Sequence, residues 1–469
     1  MSAVADYLHQ NEDRLLSELQ ELLRIPSVST LPERKEDVRR AAQWLQRRLT
    51  AAGCTTAEVQ ETGGHPIVYG EWLGAPGKPT ILVYGHYDVQ PVDPLHEWKR
   101  PPFEPVVEDG KIWARGASDD KGQVILHVNA LEAHLKANGT CPVNVKLLIE
   151  GEEEVGSDHL EPYIEKNKAR LAADAVVVSD TAFFAKGVPS ICHALRGLAY
   201  FQIDVRGTDT DLHSGTFGGS VMNPAFALVH LLAQLKDKKG KVLVPGFYDK
   251  VRKLSKAERK AFASLPHSDR KWAKAIGAPE LFGEAGFTTL ERIWARPTLE
   301  INGIWGGFQG EGAKTVIPAE AHAKISTRLV PDQTPKEIAR KVETYLKKIA
   351  PKAVKVTVRE LHGGEAWLAD TDHPALQAAS RAVKRAFGKS PVFQREGGSI
   401  PVIAAFGRIL KIPSVLMGVG LNDDNLHAPN EKMDLEQFLR GNAAAAYLME
   451  ELGGREEPAH VPRMRRKTA

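Results

Sequence analysis

The sequence predicts an α/β protein with a mostly parallel-sheet domain, interrupted by a smaller α+β insertion. Mostly apolar runs at 80–84, 143–149, 175–178 and 414–419 read as buried strands. Helix-like stretches at 122–138 and 160–172 separate several of them, the pattern of parallel strands joined by crossovers. In between, LAYFQIDVR at 198–206 and AHAKISTRL at 321–329 alternate like half-exposed strands, which marks a second kind of architecture.

Taken in order, the chain opens with a predicted helix over 1–24, where Leu8, Leu15, Leu16, Leu19, Leu22 and Leu23 share one face. A second amphipathic helix fits 35–52 and is stopped by Gly53. The apolar strands and their helices follow. Inside the insertion, helical stretches cover 224–236 and 334–349, and 354–360 reads as a strand. Residues 238–296, rich in Lys, Trp and Phe, show no clear period and receive no assignment. After His362 the helix–strand alternation returns. The resulting division is 1–195 for the first part of the main domain, 196–362 for the insertion, and 363–469 for the second part.

Bulk properties narrow the function. Of the 469 residues, 42% are apolar and 26% charged, the balance of an ordinary globular protein. A net charge of +3 spread over 62 basic and 59 acidic residues points to neither nucleic acid nor an anionic membrane as a partner. Arg463, Arg465, Arg466 and Lys467 read as a solvated tail. Cys54, Cys141 and Cys192 are too few and too scattered for a disulfide framework and read as small buried hydrophobes. Residues 1–20 carry Asp6, Glu12, Asp13, Arg14 and Glu18, unlike a signal peptide. No window is apolar enough for a membrane helix, so a cytoplasmic enzyme is expected.

The informative feature is where the acids and histidines fall. His86 and Asp88 (YGHYDVQP) follow the run 80–84, and Glu150, Glu152, Glu153 and Glu154 (EGEEEVGS) follow 143–149. Asp180 follows 175–178, and His427 (NLHAPNE) lies in the loop after 414–419. Open parallel sheets bind ligands beyond the carboxyl ends of their strands, so these side chains converge on one place. Asp119 and Asp120 (RGASDDKG) join them just before a predicted helix. Each piece alone has an ordinary explanation: a chance HxD, a solvated acidic loop, a helix cap, a surface histidine. Together they form a self-repelling cluster unless cations neutralise it. Two Zn²⁺ ions ~3.5–4 Å apart, bridged by a carboxylate, would do so, with Mn²⁺ or Co²⁺ as alternatives.

These five motifs resemble the metal-site motifs of the M20 metallopeptidases, and the resemblance covers nearly the whole chain. DLHSGTFGG, KTVIPAE, STRLVP and REGGSIP are similar to the branch of carnosinases and cytosolic non-specific dipeptidases. The resemblance implies that His86 and Asp180 bind one metal, Glu154 and His427 the other, and that Asp119 bridges both. It makes Glu153 the general base and Asp88 the residue that orients His86, although the acidic run also allows Glu152–Glu153 as the working pair. It further implies a cis bond between Asp119 and Asp120, and a hydrogen bond from His213 to the tetrahedral oxyanion. Arg328 becomes a clamp for the substrate carboxylate, and Thr315 and Ser399 become substrate-binding groups. The inserted domain would serve as lid and dimer contact, with His213 reaching across a homodimer into the partner's site.

The expected reaction is hydrolysis of dipeptides bearing a free C-terminal carboxylate, through a metal-activated hydroxide. An N-acyl-amino-acid deacylase on the same scaffold is the alternative, because both need Arg328 and differ only in the pocket for the other end. The extra acids Glu150 and Glu152 are candidates for an ammonium partner that the sequence does not place. A non-catalytic metal- or peptide-binding relative is more remote, since every ligand and the base are present. A phosphoesterase lacks any Gly-rich phosphate loop near the motifs.

Overall fold

Leu82, Val83 and Tyr84 are buried because their strand, Thr80–His86, lies in the middle of a sheet covered on both faces. The structure is a computed structural model that describes residues 2–398 and 400–454; Ser399 and the basic run Arg463, Arg465, Arg466 and Lys467 lie outside them. The chain forms two units. The first holds residues up to Cys192, Asp370–Phe393, and the chain from Ala405. The second holds His193–Ala369 and Gln394–Ala404.

The sheet of the first unit runs, from one edge, Thr56–Gln60, Ile67–Trp72, Asn144–Glu150, Thr80–His86, Ala175–Val178, Ser414–Leu416, Ser190–Leu195. Its three central pairings are parallel, with His86 directly opposite Glu150 and Val415 opposite Val177. The pairings outside them are antiparallel, so the sheet is mixed rather than mostly parallel. The reason at one edge is connection length: Gln60 and Ile67 are joined by a short loop, and a parallel crossover needs a dozen residues or more. Helix Lys121–Asn138 is buried on every side from Lys121 to His134, packed among Thr80–His86, Ala3–Gln10 and Leu435–Leu452. A helix buried on every side is an interior one, and its polar residues Gln123, His127, Asn129, Glu132 and His134 are buried with the apolar ones.

Three sequence expectations shift in detail. The helix expected over 1–24 is two, Ala3–Gln10 and Glu12–Leu23, separated at Asn11, whose side-chain amide donates to Tyr7 O and competes with the helical ladder. The helix expected over 160–172 ends at Lys166. The unassigned 238–296 contains Lys256–Ala263, Asp269–Ala275 and Thr289–Ala295, the first and last opened by capping boxes, Ser255 with Glu258 and Thr288 with Glu291.

The second unit is built on an antiparallel sheet ordered Thr298–Gly306, Glu320–Leu329, Gly197–Arg206, Lys355–Gly364. Strict alternation sends Ala199, Phe201, Ile203 and Val205, with Ala321, Ala323, Ile325 and Leu329, to one face. Helices Pro224–Ala233 and Pro335–Ile349 cover that face with Leu228, Leu231, Ile338, Val342 and Leu346.

Candidate metal centre

The first unit gathers its chemistry where the parallel strands end. His86 is the last residue of Thr80–His86, and Asp180 follows Ala175–Val178 by one residue beyond Ser179. Gly418 lies so close to the Thr181 backbone that a β-carbon would come within 2.0 Å of its carbonyl oxygen, which fixes the strand end bearing Asp180. Asp119 sits in the loop before Lys121–Asn138, and the Asp119–Asp120 peptide bond is cis.

Asp119 is the centre of the arrangement. Its Oδ1 lies 3.1 Å from His86 Nε2, and its Oδ2 lies 2.9 Å from His427 Nε2. His427 Nε2 is also 3.3 Å from Glu154 Oε2. Two groups of ligand atoms result, His86–Asp119–Asp180 and Asp119–Glu154–His427, each with its atoms within 4.8 Å of one another. A single carboxylate thus offers one oxygen to each group.

Charge is balanced badly in this cluster. Burial, then the neighbouring charges of Asp120 and Asp119, push the Asp180 carboxyl well up. Burial and the charge of Asp119 raise Glu154 to about 8. Burial also raises Glu153, with Asp119 and Asp88 adding to it against the opposing pull of His86. The histidines move with the carboxylates: hydrogen bonding to Asp119 lifts His427 to about 9, while His86 rises well above its usual value despite its burial. Asp119 itself is held below the usual carboxylate range by hydrogen bonds with His427 and His86, which outweigh its burial. Buried carboxylates that would otherwise hold protons, beside imidazoles, are a donor set that divalent cations satisfy. The residues fit a two-ion centre.

The flanking residues are also in contact. Asp88 is fully buried; it accepts from Ser29 Oγ at 2.6 Å and from the backbone N–H groups of Glu153 and Glu154. Its Oδ1 lies 3.4 Å from His86 Nδ1, so one carboxylate touches both the histidine and the acidic turn. In that turn Glu154, not Glu152, lies with Asp119 and His427. Glu152 is occupied by His159 Nδ1 and the backbone N–H of His65. Glu150 accepts from the hydroxyls of Tyr84 and Ser157.

The second unit carries another set. His213 caps the short helix Ser214–Phe217: its Nδ1 accepts from Gly215 N and Thr216 N, so the ring proton of the neutral form resides on Nε2. The strand Leu212–His213 pairs with Val316–Ile317, and Ser214 N donates to Thr315 O, which brings Thr315 beside His213. Arg328 lies on Glu320–Leu329, opposite Leu198 and Thr298, its guanidinium pushed down by burial. Arg196 was not singled out in the sequence; burial and the charge of Arg328 lower it to about 10, and it donates to Gly397 O. Ser399 lies outside the described residues.

Sequence reasoning also missed the scaffold under Asp119. Glu431 is fully buried and accepts from Arg115 and from the N–H groups of Gly116, Ser118 and Asp119. Its signal was present, since it ends the NLHAPNE motif.

A mixed sheet that ends in clustered histidines and carboxylates, with an α+β unit inserted in its chain, defines a class, and the sequence comparison places it. The chain belongs to the peptidase family M20/M25/M40, whose profile matches residues 82–451. It is 35% identical over 452 residues to a Cys-Gly metallodipeptidase of Schizosaccharomyces pombe, covering 93% of this chain and 95% of that one. It is 33% identical to the β-Ala-His dipeptidase of Homo sapiens, covering 96% of this chain and 92% of that one. A solved dipeptidase structure from Saccharomyces cerevisiae superposes with a TM-score of 0.83 at 31% identity, over 97% of this chain and 99% of that one. No helix among the described residues is long and apolar enough to cross a membrane.

Proposed function

We propose that this chain is a two-metal dipeptidase acting on small peptides with a free C-terminal carboxylate. The observation that carries the reading is Asp119, with one oxygen toward His86 and the other toward His427. In this reading His86 and Asp180 hold one ion, Glu154 and His427 the other, and Asp119 both. Zn²⁺ suits the mixture of imidazole and carboxylate, with Mn²⁺ or Co²⁺ as substitutes. Bound there, the ions supply Lewis acidity toward the scissile carbonyl and an acidified water.

The chain's own residues do the rest. Glu153, whose raised pKa strengthens it as a base, takes a proton from the water and returns it to the leaving amine nitrogen. Asp88 orients His86 through its Nδ1 side and fixes the turn that bears Glu153. His213 donates from Nε2 to the developing oxyanion, a role its two backbone partners at Nδ1 prepare. Arg328 binds the substrate carboxylate, and Thr315 and Ser399 bind its polar backbone. The enzyme works as a homodimer in the cytoplasm, with His213 serving the partner's site. The relatives named above cleave peptides, which favours a dipeptidase over an N-acyl-amino-acid deacylase.

The test is hydrolysis of a panel by metal-free protein and by protein loaded with Zn²⁺ or Mn²⁺. The panel holds α-dipeptides, a β-alanyl dipeptide, a tripeptide and N-acetylated amino acids, with Glu153→Ala as control. Metal-dependent dipeptide cleavage that disappears in the variant supports the reading. Turnover of acetylated amino acids alone would transfer the chain to the deacylases, and a failure to bind divalent metal would sink the two-ion centre.

A further inference from the structure

His427 is held in an unusual way. Its loop passes through three non-glycine residues with left-handed backbone, Asn425, His427 and Asn430, and its side chain is 57% exposed. Its Nε2 meets Asp119 and Glu154 while the rest of the ring is open. The loop is instead fixed at its two ends by buried carboxylates, Asp424 and Glu431, which are 1% and 0% exposed.

Both carboxylates grip the segment that carries Asp119. Glu431 Oε1 accepts from Ser118 N at 3.0 Å and from Asp119 N at 3.1 Å. Its Oε2 accepts from Gly116 N at 2.9 Å and from Arg115 Nη1 at 2.8 Å, and its backbone carbonyl accepts from Ala114 N. Asp424 Oδ2 accepts from Ser118 Oγ at 2.8 Å and from Leu421 N at 2.7 Å, while Oδ1 takes Lys432 Nζ at 2.6 Å. Two loops more than three hundred residues apart are therefore joined at both ends of the His427 turn.

We infer that Asp424 and Glu431 are positioning residues that set the spacing between His427 and Asp119. The inference rests on the reading of those two residues as ligands. Its physical basis is the acceptor-only character of a carboxylate: four donors converge on Glu431, and only an ionised or doubly accepting group satisfies them all. Glu431→Gln keeps the size but turns one acceptor into an N–H₂ that faces donors. The loops then separate, and the shared carboxylate no longer meets both histidines. Partners of this kind, one bond removed from a ligand, cost 10–100-fold in metal affinity when altered.

The experiment is Co²⁺ and Zn²⁺ titration of the full chain, read by calorimetry and by the visible absorption of Co²⁺. Wild type, Glu431→Gln, Asp424→Asn and Ser118→Ala are compared with Leu45→Ala, a core variant that lowers stability in the helix Lys35–Ala52. The expected result is that the weaker-bound ion loses about 10–100-fold in affinity in Glu431→Gln, with a changed Co²⁺ spectrum. Ser118→Ala shows a smaller change of the same kind, and Leu45→Ala shows neither despite its lower Tm. If Glu431→Gln does not fold, Asp424→Asn and Ser118→Ala decide the matter. Unchanged spectra and affinities in the folded variants would overturn the inference while leaving the two-ion reading intact. Wild type that takes up fewer than two ions would remove the reading and the inference together.

Discussion

In the first unit the candidate residues follow the ends of buried strands; in the second they lie along the face of one strand and at a two-residue ladder. His86 and Asp180 stand at or just past the ends of parallel strands whose every interior residue is buried. Arg328 and Arg196 lie on or beside half-exposed antiparallel strands, and His213 caps a helix of a single turn. A strand end projects a side chain from a fixed backbone into a pocket of its own making. A strand face offers a polar residue at every second position, so the functional one has no local mark. The first arrangement concentrates charge, whereas the second distributes hydrogen-bond donors.

The strongest way to break this comparison is to remove the carboxylate proposed to serve both ions. Asp119→Ala is expected to reduce bound metal from two ions to fewer than one and to abolish turnover, measured by elemental analysis of dialysed protein. Glu153→Ala should lose about 10³-fold in kcat with metal content unchanged, because general-base catalysis supplies roughly 10²–10⁴-fold. Equal metal loss in both variants would mean that Glu153 is a ligand rather than a base. In the second unit Arg328→Lys should raise KM by about tenfold or more and leave kcat nearly unchanged, as one charge-assisted hydrogen bond is lost. A fall in kcat alone would remove Arg328 from substrate binding.

Acid should weaken both units through the same device. Burial lowers His127 in the first unit and His193 in the second to about 4 each, with Arg395 adding to the effect on His193. Their folded pKa lies below the ordinary value near 6.5, so the unfolded chain binds more protons between those limits. Stability is complete above ~6.5 and falls as pH drops toward ~4, by up to about 3 kcal/mol for each histidine. Urea unfolding across that range, with His127→Gln expected to flatten part of the slope, measures it. The smallest effect belongs to Ser255→Ala, which removes the capping box of Lys256–Ala263 and should cost about 1 kcal/mol by the same assay.

How far the sequence could be read follows the same division. Strands 80–84 and 175–178 were legible because buried parallel strands are continuous apolar runs, and the acids and histidines after them stand out against that background. The edge strand Thr56–Gln60 was not, since it is only half-buried and leaves no apolar run. In the second unit the alternation at 198–206 and 321–329 gave the strands, but nothing in it separates Arg328 from Arg206 or Lys324. Two of the three short helices within 238–296 were marked only by S-x-x-E and T-x-x-E pairs, which register capping rather than periodicity. Glu431 was visible only as the last residue of NLHAPNE; its role was not, because its four donors are backbone groups and an arginine distant in sequence, and no spacing rule connects them.

The path of the chain has a consequence for how the protein is made. It passes between the units at residues 192–193, 369–370, 393–394 and 404–405. Strand Ser414–Leu416 lies between Ala175–Val178 and Ser190–Leu195, so the first sheet keeps an open place until the second unit has left the ribosome. Contacts between segments so far apart in sequence close slowly, because the loop entropy is lost before they form. The core of the second unit draws on residues from Ala199 to Leu346, all made before Ser414–Leu416, while in the first unit Ala175–Val178 and Ser190–Leu195 still miss the neighbour that belongs between them. During that interval the unpaired strand edges are exposed to misassociation, and His427, carried on the loop beyond that last strand, joins Asp119 only after synthesis has passed both.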